Sequence, residues 1–170
     1  MLPIILDPAK LTVGIAGEGE AFERRRAFLI DAGVEPIAVS FEAAESLGGL
    51  NVLYVAGAPQ SVAAALAGRA KAAGVLVNVE DEPALCDFHV PASVRRGDLL
   101  LTVSSGGSAP GLVRLIREWL GERFGAEWGA RVDEIGRRRA GWRDERLAPA
   151  ERSQRTREIV AEEKWLAWPP

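Results

Sequence analysis

Two segments of the chain carry residue types that do chemistry. The first is Asn78-Val79-Glu80-Asp81-Glu82-Pro83, and the second is Val103-Ser104-Ser105-Gly106-Gly107-Ser108-Ala109-Pro110, with Phe88 and Pro91 between them. They set an acidic residue, Asp81, at the end of one strand and a serine-glycine anion cradle at the end of the next. A positioned carboxylate serves as an acid or base. Gly106 and Gly107 expose backbone N–H groups, and Ser104 and Ser105 add hydroxyl donors, a combination that suits a carboxylate or phosphate. A helix then opens on the cradle with Arg114, Arg117 and Glu118. Bland readings stand beside both segments: Asp before Glu-Pro is also a turn composition, and Ser-Ser-Gly-Gly is also a plain strand-to-helix connection.

A third constellation is Gly17-x-Gly19, between an apolar run and a helical pattern. The first glycine allows a tight turn, and the second lets backbone approach a pyrophosphate at a helix N-terminus. Gly17, Gly19, Glu20 and Ala21 are therefore candidate dinucleotide contacts; a bare strand-turn-helix is the alternative. Phe22 stands where the fingerprint wants Gly or Ala, and Glu18 and Glu20 bring negative charge to the same turn. Phe41 and Glu42 lie near where a ribose-reading residue belongs, in a link too short to decide NAD against NADP. His89, the only histidine, reads as a packing residue, although it falls between the two site segments. Cys86 reads as a small buried apolar residue. The tryptophans read as packing anchors, Arg137-Arg138-Arg139 as a solvated helix face. The sequence contains no Walker loop and no paired metal-binding histidines, so no metal site is expected.

The elements that must position these residues alternate. Leu11–Ala16, Ile37–Val39, Val52–Ala56 and Val75–Val79 read as strands, and Ala21–Ala32 and Ser61–Ala73 as helices stopped by Gly33 and Gly74. Such alternation implies a parallel sheet covered on both faces, with ligands at the carboxyl ends of its strands. After Pro91 the pattern changes. Arg95-Arg96-Gly97 reads as a turn, Asp98–Val103 as a strand, and Ser108 as the cap of a helix with Leu112, Leu115, Ile116, Trp119 and Leu120 in one stripe. Beyond Gly125 the chain is charged and arginine-rich. Pro149 breaks it, and Glu151–Trp168 reads as a last helix, expected to pack on a second subunit or back on the sheet.

At 170 residues and 48% hydrophobic, the chain suffices for one domain, or for a domain with a helical appendage. No apolar run reaches the length of about eighteen residues that a membrane-spanning helix needs. The start Met-Leu-Pro-Ile-Ile-Leu-Asp lacks the basic region of a secretory signal. A lone cysteine excludes an intramolecular disulfide, and a reduced cytoplasm is expected. The net charge of −3 argues against bulk attraction to nucleic acid or anionic membrane.

Taken together, these residues resemble the precorrin-2 dehydrogenase family, the N-terminal module of siroheme synthases. The matching pieces are Leu2-Pro3-Ile4 and Val13; Gly17-x-Gly19 with Glu23-Arg24-Arg25 and Ala32-Gly33; Asn78-Val79-x-Asp81-x-Pro83; Phe88 and Pro91; and Arg96-Gly97 through Val103-Ser104-Ser105-Gly106-Gly107-x-x-Pro110, Leu112, Arg114 and Arg117-Glu118. They run in family order over residues 2 to 120. The resemblance implies an α/β fold: a trimmed Rossmann-like NAD-binding domain over 1–90, a dimerisation strand-helix segment over 91–124, and a helical tail domain over 125–170. It implies NAD-dependent oxidation of precorrin-2 to sirohydrochlorin, with Asp81 as acid or base. Ser105 matches a family serine of the tetrapyrrole pocket, and Ser104, Gly106, Gly107 and Arg114 would join it in binding the substrate. It implies a homodimer. Two alternatives remain: a sirohydrochlorin ferrochelatase that has lost the redox half, and a non-catalytic tetrapyrrole-binding paralogue. The chain departs from the family pattern at Phe22, in the short link from Val39 to Asn51, and at Ala56-Gly57-Ala58-Pro59-Gln60, all on the dinucleotide side.

Overall fold

The computed structural model describes residues 2–42 and 47–166. The chain divides into two compact units, Met1–Val90 and Pro91–Pro170. The first contains β1 (Val13–Gly17), α1 (Gly19–Asp31), β2 (Ile37–Ala38), β3 (Val52–Ala56), α2 (Gln60–Ala72) and β4 (Leu76–Val79). The four strands form one parallel sheet in the order β2-β1-β3-β4.

The inner strands are apolar along their length because both faces of the sheet are covered. All five residues of β3 are buried. On one face Leu53, Val55, Val77 and Val79 meet Ala63, Leu66, Ala67 and Ala70 of α2. On the other, Val13, Ile15, Val52 and Tyr54 meet Leu29 of α1, with Phe22 packed against them. Gly33 and Gly74 follow α1 and α2 with φ of 82° and 78°, the left-handed stop expected of them.

The chain leaves β1 outward to β2 and then crosses back to β3 on the far side of β1. That reversal is the switch point of a doubly wound sheet. A full Rossmann half carries another strand beyond β2, whereas among the described residues none lies there. The link from β2 to β3 is instead tied to α2: the Arg69 guanidinium donates to the carbonyls of Phe41 and Glu42. Residues 43–46 of that link lie outside the described residues.

The second unit holds β5 (Ala92–Arg96), β6 (Leu99–Val103), α3 (Pro110–Arg123), α4 (Glu127–Asp144) and α5 (Pro149–Glu162). β5 and β6 form an antiparallel sheet of their own, with Arg96 opposite Leu99. This corrects the expected turn at Arg95-Arg96-Gly97. A two-residue hairpin needs positive φ at its first central position, and Gly97 supplies it at 57°. The turn is therefore Gly97-Asp98, which leaves both arginines in a strand. It follows that Asp81 and Ser104 come after strands of two different sheets.

Arg96 has a structural task there. Its Nε donates to the Phe124 carbonyl at 2.8 Å and its Nη2 to the Gly121 carbonyl at 3.0 Å, at the carboxyl end of α3. Those carbonyls lack helical partners and carry the negative end of the helix dipole. α4 buries Trp142. Arg131 on the same helix lies 4.9 Å from the Trp128 ring centroid and 5.3 Å from that of Trp165. Pro149 opens α5 rather than breaking a helix, since a proline fits the first helical position. The last helix, expected to reach Trp168, ends at Glu162, and residues 167–170 lie outside the described residues.

Two glycines give a test of this packing. A Cβ on Gly17, whose φ is 144°, would lie 1.7 Å from the Ala56 carbonyl oxygen, whereas Gly68 in α2 has open space around it. Thermal or urea denaturation should show Gly17→Ala destabilised by at least about 2 kcal/mol, from strain plus overpacking. Gly68→Ala should instead gain about 0.5–1 kcal/mol from helix propensity.

Candidate active site

The dinucleotide turn lies at the switch point. Gly17 ends β1, Glu18 is extended, and Gly19 begins α1 with φ of 72° and open space where a side chain would stand. Among the described residues, the N-cap residue Glu18 makes no side-chain bond to the N-terminus of α1. The first backbone N–H groups of the helix thus lack an acceptor from the cap residue, which is the condition for holding a pyrophosphate. Gly57, just after β3, abuts the turn: a Cβ there would lie 2.1 Å from the Glu18 carbonyl oxygen. Phe22 leaves the turn open because its ring packs on the α1-side core. Glu20 turns along the helix to Arg24, Oε1 to Nη1 at 3.2 Å. Ala21 is half-buried at the same turn. Phe41 is half-buried and Glu42 exposed, just past the end of β2.

Asp81 follows β4 in a loop tied to the sheet at several points. The Glu80 N–H donates to the Val55 carbonyl at 2.9 Å, extending the β3–β4 ladder past the strand end. The Glu80 carboxylate lies 3.6 Å from Nη2 of Arg24, and its other oxygen is buried without a hydrogen-bond partner. Asp81 itself is exposed, with φ of 62°. That left-handed conformation is uncommon outside glycine, and among side chains Asp tolerates it best along with Asn and His. Such outliers cluster at active sites.

The chain then returns alongside β4. The Asp87 N–H donates to the Val77 carbonyl at 2.8 Å, and the Asp87 carboxylate accepts the Val77 N–H at 3.0 Å. Asn78, the buried polar residue of the core, donates from Nδ2 to the Phe88 carbonyl at 3.0 Å. The Phe88 ring meets Tyr54 edge-on, centroids 5.4 Å apart. Burial pushes the Tyr54 phenol up, and the nearby Arg25 charge pulls partly against it. His89 is exposed and is not the packing residue expected; Phe88 packs in its place. Cys86 is half-buried and packs against the α2-side core, in keeping with the apolar role expected of it, and its sulfur is also hydrogen-bonded to Val79.

In the second unit the cradle follows β6. The Ser104 hydroxyl accepts the Gly106 N–H at 3.2 Å, and the Ser105 hydroxyl accepts the Ala109 N–H at 3.0 Å. Both hydroxyl protons stay available to an anion, because accepting a bond does not use them. Gly106 and Gly107 take φ of 67° and 85°. Ser108 does not cap α3, as expected of it; its hydroxyl donates to the Ser105 carbonyl at 2.7 Å and closes the cradle turn. Arg114 is exposed and only loosely paired, 3.8 Å from Glu118. Among the described residues no group of His, Cys, Asp and Glu is placed to hold a metal ion.

A parallel sheet whose glycine turn opens on an uncapped helix at the switch point defines a Rossmann-type dinucleotide-binding fold. Residues 39–92 match a family model described as "Putative NAD(P)-binding". The siroheme synthase of Methylococcus capsulatus is 37% identical over 138 residues, covering 68% of this chain and 29% of that protein. Siroheme synthase 1 of Aeromonas salmonicida is 30% identical over 187 residues, covering 89% of this chain and 39% of that protein. The chain thus spans well under half of these relatives. The second alignment is longer than the 170 residues of this chain, so the relative carries residues absent here. The solved structure of SirC, a precorrin-2 dehydrogenase, superimposes with a TM-score of 0.78 at 19% identity, over 98% of this chain and 93% of that one. The chain belongs to the family of the siroheme synthase N-terminal module.

Sequence reasoning missed Asn78 and Asp87 as the ties of the Asp81 loop. Asn78 had a signal, since a polar residue inside an apolar strand needs a partner; Asp87 had none. Asp87 also pairs with Lys71 of α2 at 2.9 Å. Partial burial pushes its carboxyl up, but the hydrogen bonds from Lys71 and Val77 outweigh this and hold it below the usual carboxylate value. A depressed folded-state pKa stabilises the fold above the unfolded value, and that contribution disappears as pH falls through the folded one. Urea titrations should therefore show Asp87→Asn less stable than wild type at neutral pH. The difference should shrink through the carboxylate range and vanish below it.

Proposed function

We propose that the protein is an NAD-dependent dehydrogenase that oxidises precorrin-2 to sirohydrochlorin, acting as a homodimer in the cytoplasm. The observation that carries this reading is Asp81, held at φ 62° at the carboxyl edge of a parallel sheet whose switch point carries an open glycine turn. The siroheme synthase relatives and the fold of a precorrin-2 dehydrogenase support the same choice of substrate. NAD, when bound, supplies a hydride acceptor. Gly17, Gly19, Glu20 and Ala21 would hold it at the α1 terminus, with Phe41 and Glu42 past β2 on its ribose side. In this oxidation the macrocycle loses a hydride and a proton, and Asp81 is the base that takes the proton. The hydroxyls of Ser104 and Ser105, the backbone of Gly106 and Gly107, and Arg114 bind substrate carboxylates by charge-assisted hydrogen bonds.

In domain terms, residues 1–90 bind the dinucleotide, 91–124 carry the dimer contact and 125–170 form a helical tail. The support for a dimer is the face of α3, where Leu112 and Leu115 are each 58% exposed and Trp119 47%. A contiguous apolar stripe of this kind marks a protein interface. Sedimentation should show a wild-type dimer and a monomer for Leu112→Glu/Leu115→Glu with unchanged secondary structure.

The chemistry has its own test. Purified protein with precorrin-2 and NAD is expected to yield sirohydrochlorin, read by absorbance, and Asp81→Ala is expected to abolish this while the circular dichroism spectrum stays native. Absence of both turnover and NAD binding in wild type would remove the dehydrogenase reading. A second reading, Fe²⁺ insertion into sirohydrochlorin, is favoured by the dinucleotide side, where no strand lies beyond β2 among the described residues. Metal insertion measured in the same preparation separates that reading from a non-catalytic tetrapyrrole binder.

A further inference from the structure

Asp81 costs energy to hold where it is. A left-handed conformation at a residue with a side chain is disfavoured and persists only where the surroundings over-determine it. The turn's own closing bond is weak, the Glu82 N–H reaching the Val79 carbonyl at 3.4 Å. Backbone bonds anchor each arm, Glu80 N–H to the Val55 carbonyl at 2.9 Å and Leu85 N–H to the Glu82 carbonyl at 3.0 Å, and one sulfur links the two arms to each other. Sγ of Cys86 accepts the Val79 N–H at 3.2 Å, and its thiol proton has two carbonyl acceptors in reach, Val79 at 3.2 Å and Glu82 at 3.4 Å. The Asn78 amide lies 3.6 Å from the same atom. The sulfur therefore grips the backbone on both sides of Asp81. Cys86 itself comes from fixed ground, because Asp87 pairs with Val77 on β4 and Phe88 meets Tyr54 edge-on.

We infer that Cys86 is the positioning residue for Asp81: its sulfur, bonded to residues 79 and 82, holds the turn that aims the carboxylate. This rests on the acid/base reading of Asp81 above. Cys86 touches neither substrate nor cofactor in this role and needs no reactive thiolate. A sulfur suits the task because its longer bond and larger radius let one atom reach backbone groups from both arms of the turn. A misplacement of a catalytic group by about an ångström costs one to two powers of ten in rate while ground-state binding is kept.

The test compares wild type, Cys86→Ala and Cys86→Ser in steady-state turnover of precorrin-2 with NAD. It also measures amide hydrogen exchange by mass spectrometry. Cys86→Ala should lower kcat by about tenfold, with KM for both substrates within about twofold. Cys86→Ser, which restores a donor and an acceptor, should recover part of the loss. Exchange should rise at residues 80–85 in Cys86→Ala and stay unchanged in β3. Wild-type kcat in Cys86→Ala, a loss confined to KM, or exchange rising equally throughout the sheet would each overturn the inference. If Cys86→Ala does not fold, Cys86→Ser is read alone, with a smaller kcat loss and faster exchange at 80–85 expected. Should wild type show no turnover, the dehydrogenase reading fails, and exchange at 80–85 still decides whether the sulfur holds the turn.

Discussion

The contact on which the first unit depends is backbone against backbone. Gly17 at the end of β1 presses on the Ala56 carbonyl, and Gly57 after β3 presses on the Glu18 carbonyl. Neither approach admits a side chain. It lets β1 and β3 pair in register over five residues, from Val13 opposite Val52 to Gly17 opposite Ala56. That register sets the carboxyl ends of the two central strands level, and β4, paired to β3 from Val52 to Val55, ends at the same edge. The turn that would hold a pyrophosphate and the turn that carries Asp81 then emerge from one rim, because a parallel sheet puts all its carboxyl ends together.

A single guanidinium joins the helix behind the glycine turn to the strand before Asp81. Arg24 reaches Glu20 at 3.2 Å and Glu80 at 3.6 Å. Its side chain is mostly exposed, so by the behaviour of surface ion pairs it adds at most about 1 kcal/mol to stability. Its effect is on geometry and charge. Glu20 would otherwise set a bare carboxylate in the first turn of α1, where the proposed dinucleotide would bring a phosphate. Pairing with Arg24 offsets that charge and draws it along the helix.

The sequence made the α/β order of the first unit legible because β1, β3 and β4 are apolar runs ended by Gly17, Gly57 and Glu80, and the helices are stopped by Gly33 and Gly74. It hid β5. Ala92-Ser93-Val94-Arg95-Arg96 has one buried residue, Val94, and is held by its hairpin partner and by the Arg96 bonds to α3, none of which leaves a periodic pattern. Ser108 misled in a similar way. As the last serine before Pro110 it had the type of a cap, but the Ser105 carbonyl took its hydroxyl. At the candidate site, the residue types were readable: an aspartate at a strand end, glycines at a turn, serines before a helix. What positions the aspartate was not, because the sulfur of Cys86 and the carboxylate of Asp87 act on backbone atoms brought near only by the return of the chain along β4.

That no strand lies beyond β2 among the described residues is tolerable for a geometric reason. A switch point is made by the two strands on either side of the reversal, here β1 and β3, while the strand beyond β2 would lie at the outer edge. Without it β2 is a two-residue edge with Ile37 half exposed, and the central register is untouched. The link that remains is held by Arg69 through the Phe41 and Glu42 carbonyls, so α2 fixes the backbone that a further strand would have carried. Binding at the pyrophosphate end needs only the glycine turn and the open end of α1. Discrimination at the ribose end would rest on side chains past β2, where Arg69 holds the backbone carbonyls of Phe41 and Glu42. The rim that carries Asp81 is built by the inner strands alone, whatever lies past β2.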